Sequence, residues 1–356
     1  MKRIVMWMGS ATNEGAWAGI LSSFGEVFLV RCGKRREDSI WSAGRQIFLG
    51  AKKPVTRWRW LDNLFLGFFS AFGIMRQTLK WAQGKPIALL IVEGPRGLLA
   101  VWLKRLGKVR ALVSLQSDYL PPAGKLHVRL HRRANMALNR FIGRNADELW
   151  KLSPRIPTGE GHPQTHVIHV IPVYINDNKV PPTERRDVMY FGVPSPDHAL
   201  DVLFEIARRH DIPLHIVGDS PYLDSIKYSA TPKTIFHGYI EPEQLAEIAR
   251  QCYCGYAVYR NTSPQNYSYY GFPSKYFHYL ANNVPVLTTN TAFFSQDIEK
   301  NGVGRVVSPE PRQIEKAILE MRDHSADFDQ AINRFRKEWN RGVENFLAGR
   351  MAGLLQ

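Results

Sequence analysis

Lys275 stands in the run Pro273-Ser274-Lys275, where a short helix is expected to begin, and that position gives its ammonium a chemical use. Gly271 and Pro273 break what precedes them. Ser274 suits an N-cap, and the following residues are helix-compatible, with Phe277 and Leu280 three apart on one side. Asn282-Asn283 suits the helix end, and Val284-Pro285-Val286-Leu287 the start of a buried strand. Free backbone N–H groups, the positive end of the helix dipole and one ammonium therefore meet at one point. That is a place for an anion, most simply a diphosphate. An ordinary amphipathic helix with a surface lysine would read the same way locally, so the neighbouring elements have to decide.

Those elements alternate strand and helix through the second half. Val188 to Gly192, Leu214 to Gly218 and Thr234 to Tyr239 read as strands that run into Gly192, Gly218 and Gly238. Ser195-Pro196-Asp197 opens a helix, with Leu200, Leu203, Phe204 and Ala207 on its inner face. A helix starts near Pro242, and Cys254 to Tyr259 is a strand that leads into a loop over 260–268. Gly302 to Val307 is the last strand, followed by helices over 311–322 and about 326–347. Ligands of open α/β sheets bind beyond the carboxyl ends of the strands, and small residues there admit a nucleotide to the backbone. Tyr239 and Tyr259 belong to the same set of strand ends.

The run Pro273-Ser274-Lys275-Tyr276-Phe277-His278-Tyr279-Leu280-Ala281-Asn282-Asn283-Val284-Pro285-Val286 resembles the P-S-K-x-x-E-Y-L-A-x-G-x-P-V segment of GT-B glycosyltransferases. Phe191-Gly192, Ile216-Val217-Gly218 and Phe236-His237-Gly238-Tyr239 come in the same order and spacing as in that family. The resemblance implies an α/β protein of two facing Rossmann-like domains, with the acceptor on the first and a nucleotide-sugar donor, expected to be a UDP-sugar, on the second. It assigns Ser274 and Lys275 to the diphosphate, and His278 to the nucleoside or sugar, where many relatives carry Glu. Tyr270 stands where the first glutamate of the retaining enzymes' paired-Glu motif would be. Glycosyl transfer also needs a base for the acceptor hydroxyl and positive charge on the departing diphosphate. Asp118 is the first choice as base. It lies just past the strand Arg110–Leu115 in a region almost without acids. It is similar to the aspartate in the Ser-Asp pair of the metal-independent xanthan-pathway glucuronosyltransferase, which acts as general base of an inverting reaction. Glu93 is the alternative, and Glu14 and His237 follow. Neither metal nor cofactor is expected.

The first half carries the same rhythm with a different charge. Ile4–Met8 and Glu26–Val30 read as strands around a loop, Gly9-Ser10-Ala11-Thr12-Asn13-Glu14-Gly15, that lacks a G-x-G-x-x-G. Gly9, Ser10, Glu14 and Gly15 are its candidate acceptor contacts. Ile87–Val92, a helix over 98–106, Arg110–Leu115, a helix over 125–144, Glu148–Leu152 and Val167–Val170 complete it. Residues 1–178 hold 27 Lys+Arg against 11 Asp+Glu, while the remainder is nearly balanced, so the whole +15 of the chain resides in the first half. Such asymmetry marks a surface for a polyanion, either anionic lipid or nucleic acid. Arg57-Trp58-Arg59-Trp60, followed by the apolar run Leu61–Met75, has the pattern of a helix in a membrane interface. On the helix over 125–144, Leu126, Leu130, Ala134, Leu138 and Phe141 share one face and Arg129, Arg132, Arg133, Arg140 and Arg144 lie elsewhere on it. That charge is either a solvated face or a patch for lipid or phosphate.

With 356 residues two domains are expected: 1–175, and 185–330 after a polar, proline-rich linker over 172–187. Residues 331–356 form a last helix that could return to the first domain. No stretch is apolar for long enough to span a membrane, and no signal peptide is evident. Three cysteines, Cys32, Cys252 and Cys254, fit a reducing cytoplasm, and Cys252-x-Cys254 lacks a second pair for a metal. The expected place is the cytoplasmic face of the membrane. The expected partners are the donor, a lipid-linked glycan acceptor and the anionic surface itself. No nucleic-acid recognition motif is present.

Overall fold

The strand Arg3–Met8 (β1) is apolar on both faces, and Ile4, Val5, Met6 and Trp7 are all buried, which requires cover above and below. In the computed structural model the described residues are 3–8, 14–31, 38–42, 45–49, 72–92, 96–116, 121–122, 126–157, 162–168, 184–240, 242–260, 267–270 and 274–354. The chain divides into two compact units, Met1–His169 with Gly342–Gln356, and Val170–Arg341.

In unit 1 the helix α1 (Glu14–Ser22) connects β1 to β2 (Glu26–Arg31). Next come β3 (Asp38–Ser42), β4 (Arg45–Leu49), helix α2 (72–82), β5 (Ile87–Val92), α3 (Arg96–Arg105) and β6 (Val109–Gln116). Helix α4 (Leu126–Asn145), β7 (Glu148–Lys151) and β8 (Thr165–Val167) follow. The sheet order is β4-β3-β2-β1-β5-β6-β7-β8, parallel from β2 to β8. The antiparallel hairpin β3–β4 was not foreseen. It lies in the basic stretch 31–60, where arginine and lysine interrupt the alternation that marks a strand. One core layer joins Trp7, Phe28, Leu89, Leu112 and Ile142 to Ile74 of α2. At the described end of the Leu61–Met75 run Ile74 is buried while Phe72 is 43% exposed, and Trp7 Nε1 donates to buried Thr78 Oγ1 of the same helix at 3.0 Å. On the other layer Trp17 stacks on Trp150 at 5.6 Å, and Trp150 meets Phe346 edge-on.

Unit 2 begins with β9 (Asp187–Phe191), then α5 (Leu200–His210), β10 (Leu214–Val217), α6 (Pro221–Ile226) and β11 (Thr234–Gly238). It continues with α7 (Pro242–Ala249), β12 (Cys252–Ala257), α8 (Tyr267–Tyr270), α9 (Ser274–Ala281), β13 (Val286–Thr289) and α10 (Ser295–Lys300). The last elements are β14 (Gly304–Val307), α11 (Pro311–Asp323) and α12 (Asp327–Leu354), whose residues from Gly342 onward belong to unit 1. All six strands are parallel in the order β11-β10-β9-β12-β13-β14. This is a doubly wound sheet, and its order reverses between β9 and β12. A ligand is expected beyond the strand ends at such a reversal. Helix α5 starts later than Ser195-Pro196-Asp197 suggested. Those residues lead into a 3-10 turn, Pro196–His198, and Ala199 takes a left-handed conformation (φ 49°) before α5 begins at Leu200.

Two buried polar contacts anchor the last helix. Arg185 grips Asp329 with both terminal nitrogens at 2.9 and 3.0 Å within unit 2. In unit 1 Glu148, 3% exposed, accepts from Arg350 Nε at 2.8 Å and from Trp150 Nε1 at 2.8 Å. A buried carboxylate needs such partners because leaving it bare in the interior costs several kcal/mol.

Candidate functional site

Gly192 follows β9 at the sheet reversal and has φ 122°, which glycine adopts without strain. Its N–H donates to Val217 O at 3.0 Å, which ties the ends of β9 and β10 together. A Cβ added at Gly192 would lie 3.5 Å from Cε of Lys275, so the lysine stem passes directly over this glycine. Gly218 has a different task. A Cβ there would come within 1.9 Å of the Gly192 carbonyl oxygen, so Gly218 keeps Gly192 in place. Gly238 pairs with Gly218 through Gly218 N–H to Gly238 O at 2.7 Å, and its own flank is open. Tyr239 next to it is exposed.

Helix α9 is buried from Lys275 to Ala281, not on one side only. Tyr279 accounts for part of that burial. Its hydroxyl accepts from Phe191 N–H at 2.8 Å and donates to Tyr256 O at 2.9 Å, joining α9 to both strands at the reversal. Each buried aromatic of this kind contributes roughly 2 kcal/mol by removing apolar surface from water. The helix start is thereby fixed, with Ser274 half-buried as its first residue and Lys275 next.

Lys275 is 7% exposed. Its Nζ lies 4.5 Å above the Tyr190 ring, 5.3 Å from the Tyr259 ring and 3.4 Å from the Tyr190 hydroxyl, to which it donates. No carboxylate pairs with it among the described residues. Burial lowers its pKa to about 7. The Tyr190 hydroxyl also donates to Val193 O at 3.0 Å and lies 2.6 Å from Nδ1 of His198. Burial first, and then the charge of Lys275, hold His198 down at about 2, while burial raises the Tyr190 phenol. His198 meets Tyr259 edge-on at 5.2 Å. Arg260 N–H donates to Asp197 O at 2.8 Å, holding the 3-10 turn to the chain that leaves β12. The result is a desolvated cation with a neutral histidine beside it and no anion supplied by the described residues. An incoming diphosphate would provide the missing counter-charge and favour protonation of both groups.

His278, one helical turn after Lys275, is 1% exposed, lies 4.7 Å from the Phe191 ring and is held neutral, at about 4, by burial. Gly192, Tyr259, Lys275 and His278 are thus gathered around the ends of β9 and β12. Tyr190 and His198 were not singled out from the sequence. A tyrosine inside a buried strand and a histidine in the first turn of an expected helix carry no signal of their own. His237 is engaged elsewhere: its Nε2 lies 2.9 Å from Nδ1 of His215, whose Nε2 reaches Asp187 at 2.8 Å. Cys252 and Cys254 are fully buried on β12, and burial pushes both thiols up, so they are core residues. Among the described residues no cluster of His, Cys, Asp or Glu could hold a metal. A cavity of about 570 Å³ opens at the amino ends of the unit 2 strands, but its Arg185, Lys233 and His210 already hold carboxylates.

The first-half candidates fall at the edge of what is described. Strands β1, β5 and β6 end at Met8, Val92 and Gln116, one, one and two residues before Gly9, Glu93 and Asp118. Gly9, Ser10, Glu93 and Asp118 lie outside the described residues, as do Arg57, Trp58, Arg59 and Trp60. Glu14 and Gly15, expected in the loop, open α1 instead.

Residues 186–324, the stretch that carries this site, match the family described as glycosyl transferases group 1. The matched stretch lies within unit 2. No curated protein matches the chain in sequence. Sucrose-phosphate synthase from Thermosynechococcus elongatus superposes with a TM-score of 0.68 at 15% identity, over 100% of this chain and 99% of that one. Anabaena HepE in complex with UDP gives 0.62 at 13%, over 99% and 100%. WaaG, a glycosyltransferase involved in lipopolysaccharide biosynthesis, gives 0.60 at 12%, over 98% and 100%. At these identities the likeness shows the fold: two Rossmann-like units, the GT-B fold. The group 1 match and this fold support a glycosyltransferase activity.

Proposed function

We propose that the protein transfers a sugar from a UDP-sugar to a membrane-borne, lipid-linked glycan acceptor, without a metal and with inversion. The observation that carries the donor side is the buried ammonium of Lys275, placed at a helix start beside Gly192 and left without a carboxylate among the described residues. A buried cation of this kind is costly unless an anion arrives, and the diphosphate of a nucleotide sugar is the anion this reaction class provides. UDP bound to HepE supports that choice of donor. The part WaaG plays in lipopolysaccharide biosynthesis supports an acceptor carried by a lipid. His198 and Lys275 would stabilise the departing UDP electrostatically, the role a metal fills in other transferases. Asp118, with Glu93 as the alternative, would take the proton from the acceptor hydroxyl as a new C–O bond forms at the anomeric carbon and the bond to UDP breaks. The test is incubation with a panel of nucleotide sugars and a lipid-linked glycan extract in excess EDTA. UDP release that needs the acceptor and persists in EDTA is expected. Release abolished by EDTA and restored by Mg²⁺ would rule out the metal-free reading.

A further inference from the structure

Helix α4 presents leucine to water. Leu126 and Leu130 are 63% and 55% exposed, and Phe141 on the same face is 40% exposed. The side expected to be covered is therefore largely open, with only Leu138 of it packed against the core, and α4 buries Ile142 instead. Helix α3 adds a second open ridge at i, i+4 and i+8, formed by Leu98, Trp102 and Leu106, each about half exposed, while Gly97, Ala100, Val101 and Leu103 turn inward. The two helices are in direct contact. Ile142 fills the space beside Gly97, so that a Cβ there would meet it at 2.2 Å, and Lys104 Nζ donates to Asn145 O at 3.0 Å. The two ridges thus belong to one surface of unit 1.

The charge beside them is uniform. Neither helix contains an aspartate or glutamate. At 3.6 residues per turn, Arg129, Arg133, Arg140 and Arg144 fall on one flank of the Leu126–Leu130–Phe141 stripe, within roughly 60° of one another. All four are exposed and form no ion pair or hydrogen bond among the described residues. Lys108 and Arg110, just beyond α3, are exposed too. No described helix is long and apolar enough to cross a membrane.

We infer that the α3–α4 face of unit 1 is a docking surface for an anionic lipid bilayer, with Leu98, Trp102, Leu126 and Leu130 entering the acyl boundary and the α4 arginines on the headgroup phosphates. Its biological use rests on the membrane-borne acceptor proposed above. An apolar ridge flanked by arginine matches a bilayer interface, where apolar depth and phosphate charge lie side by side. A nucleic acid would satisfy the arginines but leave the leucines in water.

The test is flotation of the full chain with vesicles of phosphatidylcholine, alone or with about 30 mol% phosphatidylglycerol, in the absence of any sugar donor. The unaltered protein is expected to float only with the anionic vesicles, less so as salt rises. The set Leu98→Ser, Trp102→Ser, Leu130→Ser is expected to lower partitioning about tenfold or more, and so is the set Arg133→Gln, Arg140→Gln, Arg144→Gln. All six positions are exposed, so unchanged melting curves should accompany the loss. Arg312→Gln with Lys316→Gln on α11 is the charge control and should float as before. Absence of flotation with anionic vesicles overturns the inference, and so does unchanged flotation of both α3–α4 sets. Loss of duplex RNA binding or of a dimer in these variants, with no vesicle binding in the unaltered chain, overturns it as well. UDP affinity is read separately by calorimetry. A chain that floats but binds no UDP keeps this surface and removes the donor reading.

Discussion

Replacing Lys275 with methionine is expected to make the free protein more stable and its nucleotide binding worse. The ammonium is buried against Tyr190 and Tyr259 with no carboxylate among the described residues, and burial lowers its pKa from 10.5 to about 7. The unfolded chain then binds more protons than the folded one between pH 7 and 10.5, so stability rises with pH across that window. Below pH 7 the full penalty applies. A shift of this size corresponds to about 5 kcal/mol at 1.36 kcal/mol per unit. Methionine fills a similar volume without the charge. Lys275→Met is therefore expected to gain up to about 5 kcal/mol at pH 7, shrinking to about 1 kcal/mol near pH 9.5. UDP affinity should fall by roughly a hundredfold, the value of a charge-assisted hydrogen bond at a desolvated site. Denaturant melts of both proteins at pH 7 and pH 9.5, with calorimetric UDP titrations in two buffers of different ionisation enthalpy, measure all of this. In the unaltered protein UDP binding above pH 7 should take up a proton, and the variant should show less uptake. A variant that is less stable than the parent and binds UDP equally well would refute the reasoning, because Lys275 would then be a structural group.

Asp118→Asn is expected to lower the transfer rate by about 10²–10⁴-fold with UDP affinity kept within about twofold, the signature of a lost base; full turnover by the variant would transfer the role to Glu93. Gly218→Ala should cost about 2–4 kcal/mol in a denaturant melt and weaken UDP binding, because its Cβ collides with the Gly192 carbonyl at φ 119°. Gly238→Ala, left-handed but in open space, should cost only about 1 kcal/mol; equal losses at the two positions would contradict the distinction. Arg350→Ala should destabilise unit 1 by about 3 kcal/mol, since Glu148 stays buried with only Trp150 as partner, and Glu148→Gln in the same chain should recover part of that loss.

The sequence by itself determined the two α/β units, the places of nearly all their strands along the chain, the glycines that close three of them and the helix start that carries Lys275. These are local properties: runs buried on both faces, breakers at turns, and caps are written within a few residues of where they act. Periodicity also put Leu126, Leu130 and Phe141 on one side of α4. Only the tertiary structure decided that this side stays open while Ile142 is covered, because cover comes from residues distant in the chain. The β3–β4 hairpin escaped notice for a related reason, since its pairing with β2 supplies what its two five-residue strands do not suggest by themselves. At the site, the spacing of residues pointed to an anion at Lys275. That Lys275 is buried against Tyr190 and Tyr259, with His198 made neutral beside it, follows from packing α9 across the ends of β9 and β12, and no single stretch of sequence contains that desolvation.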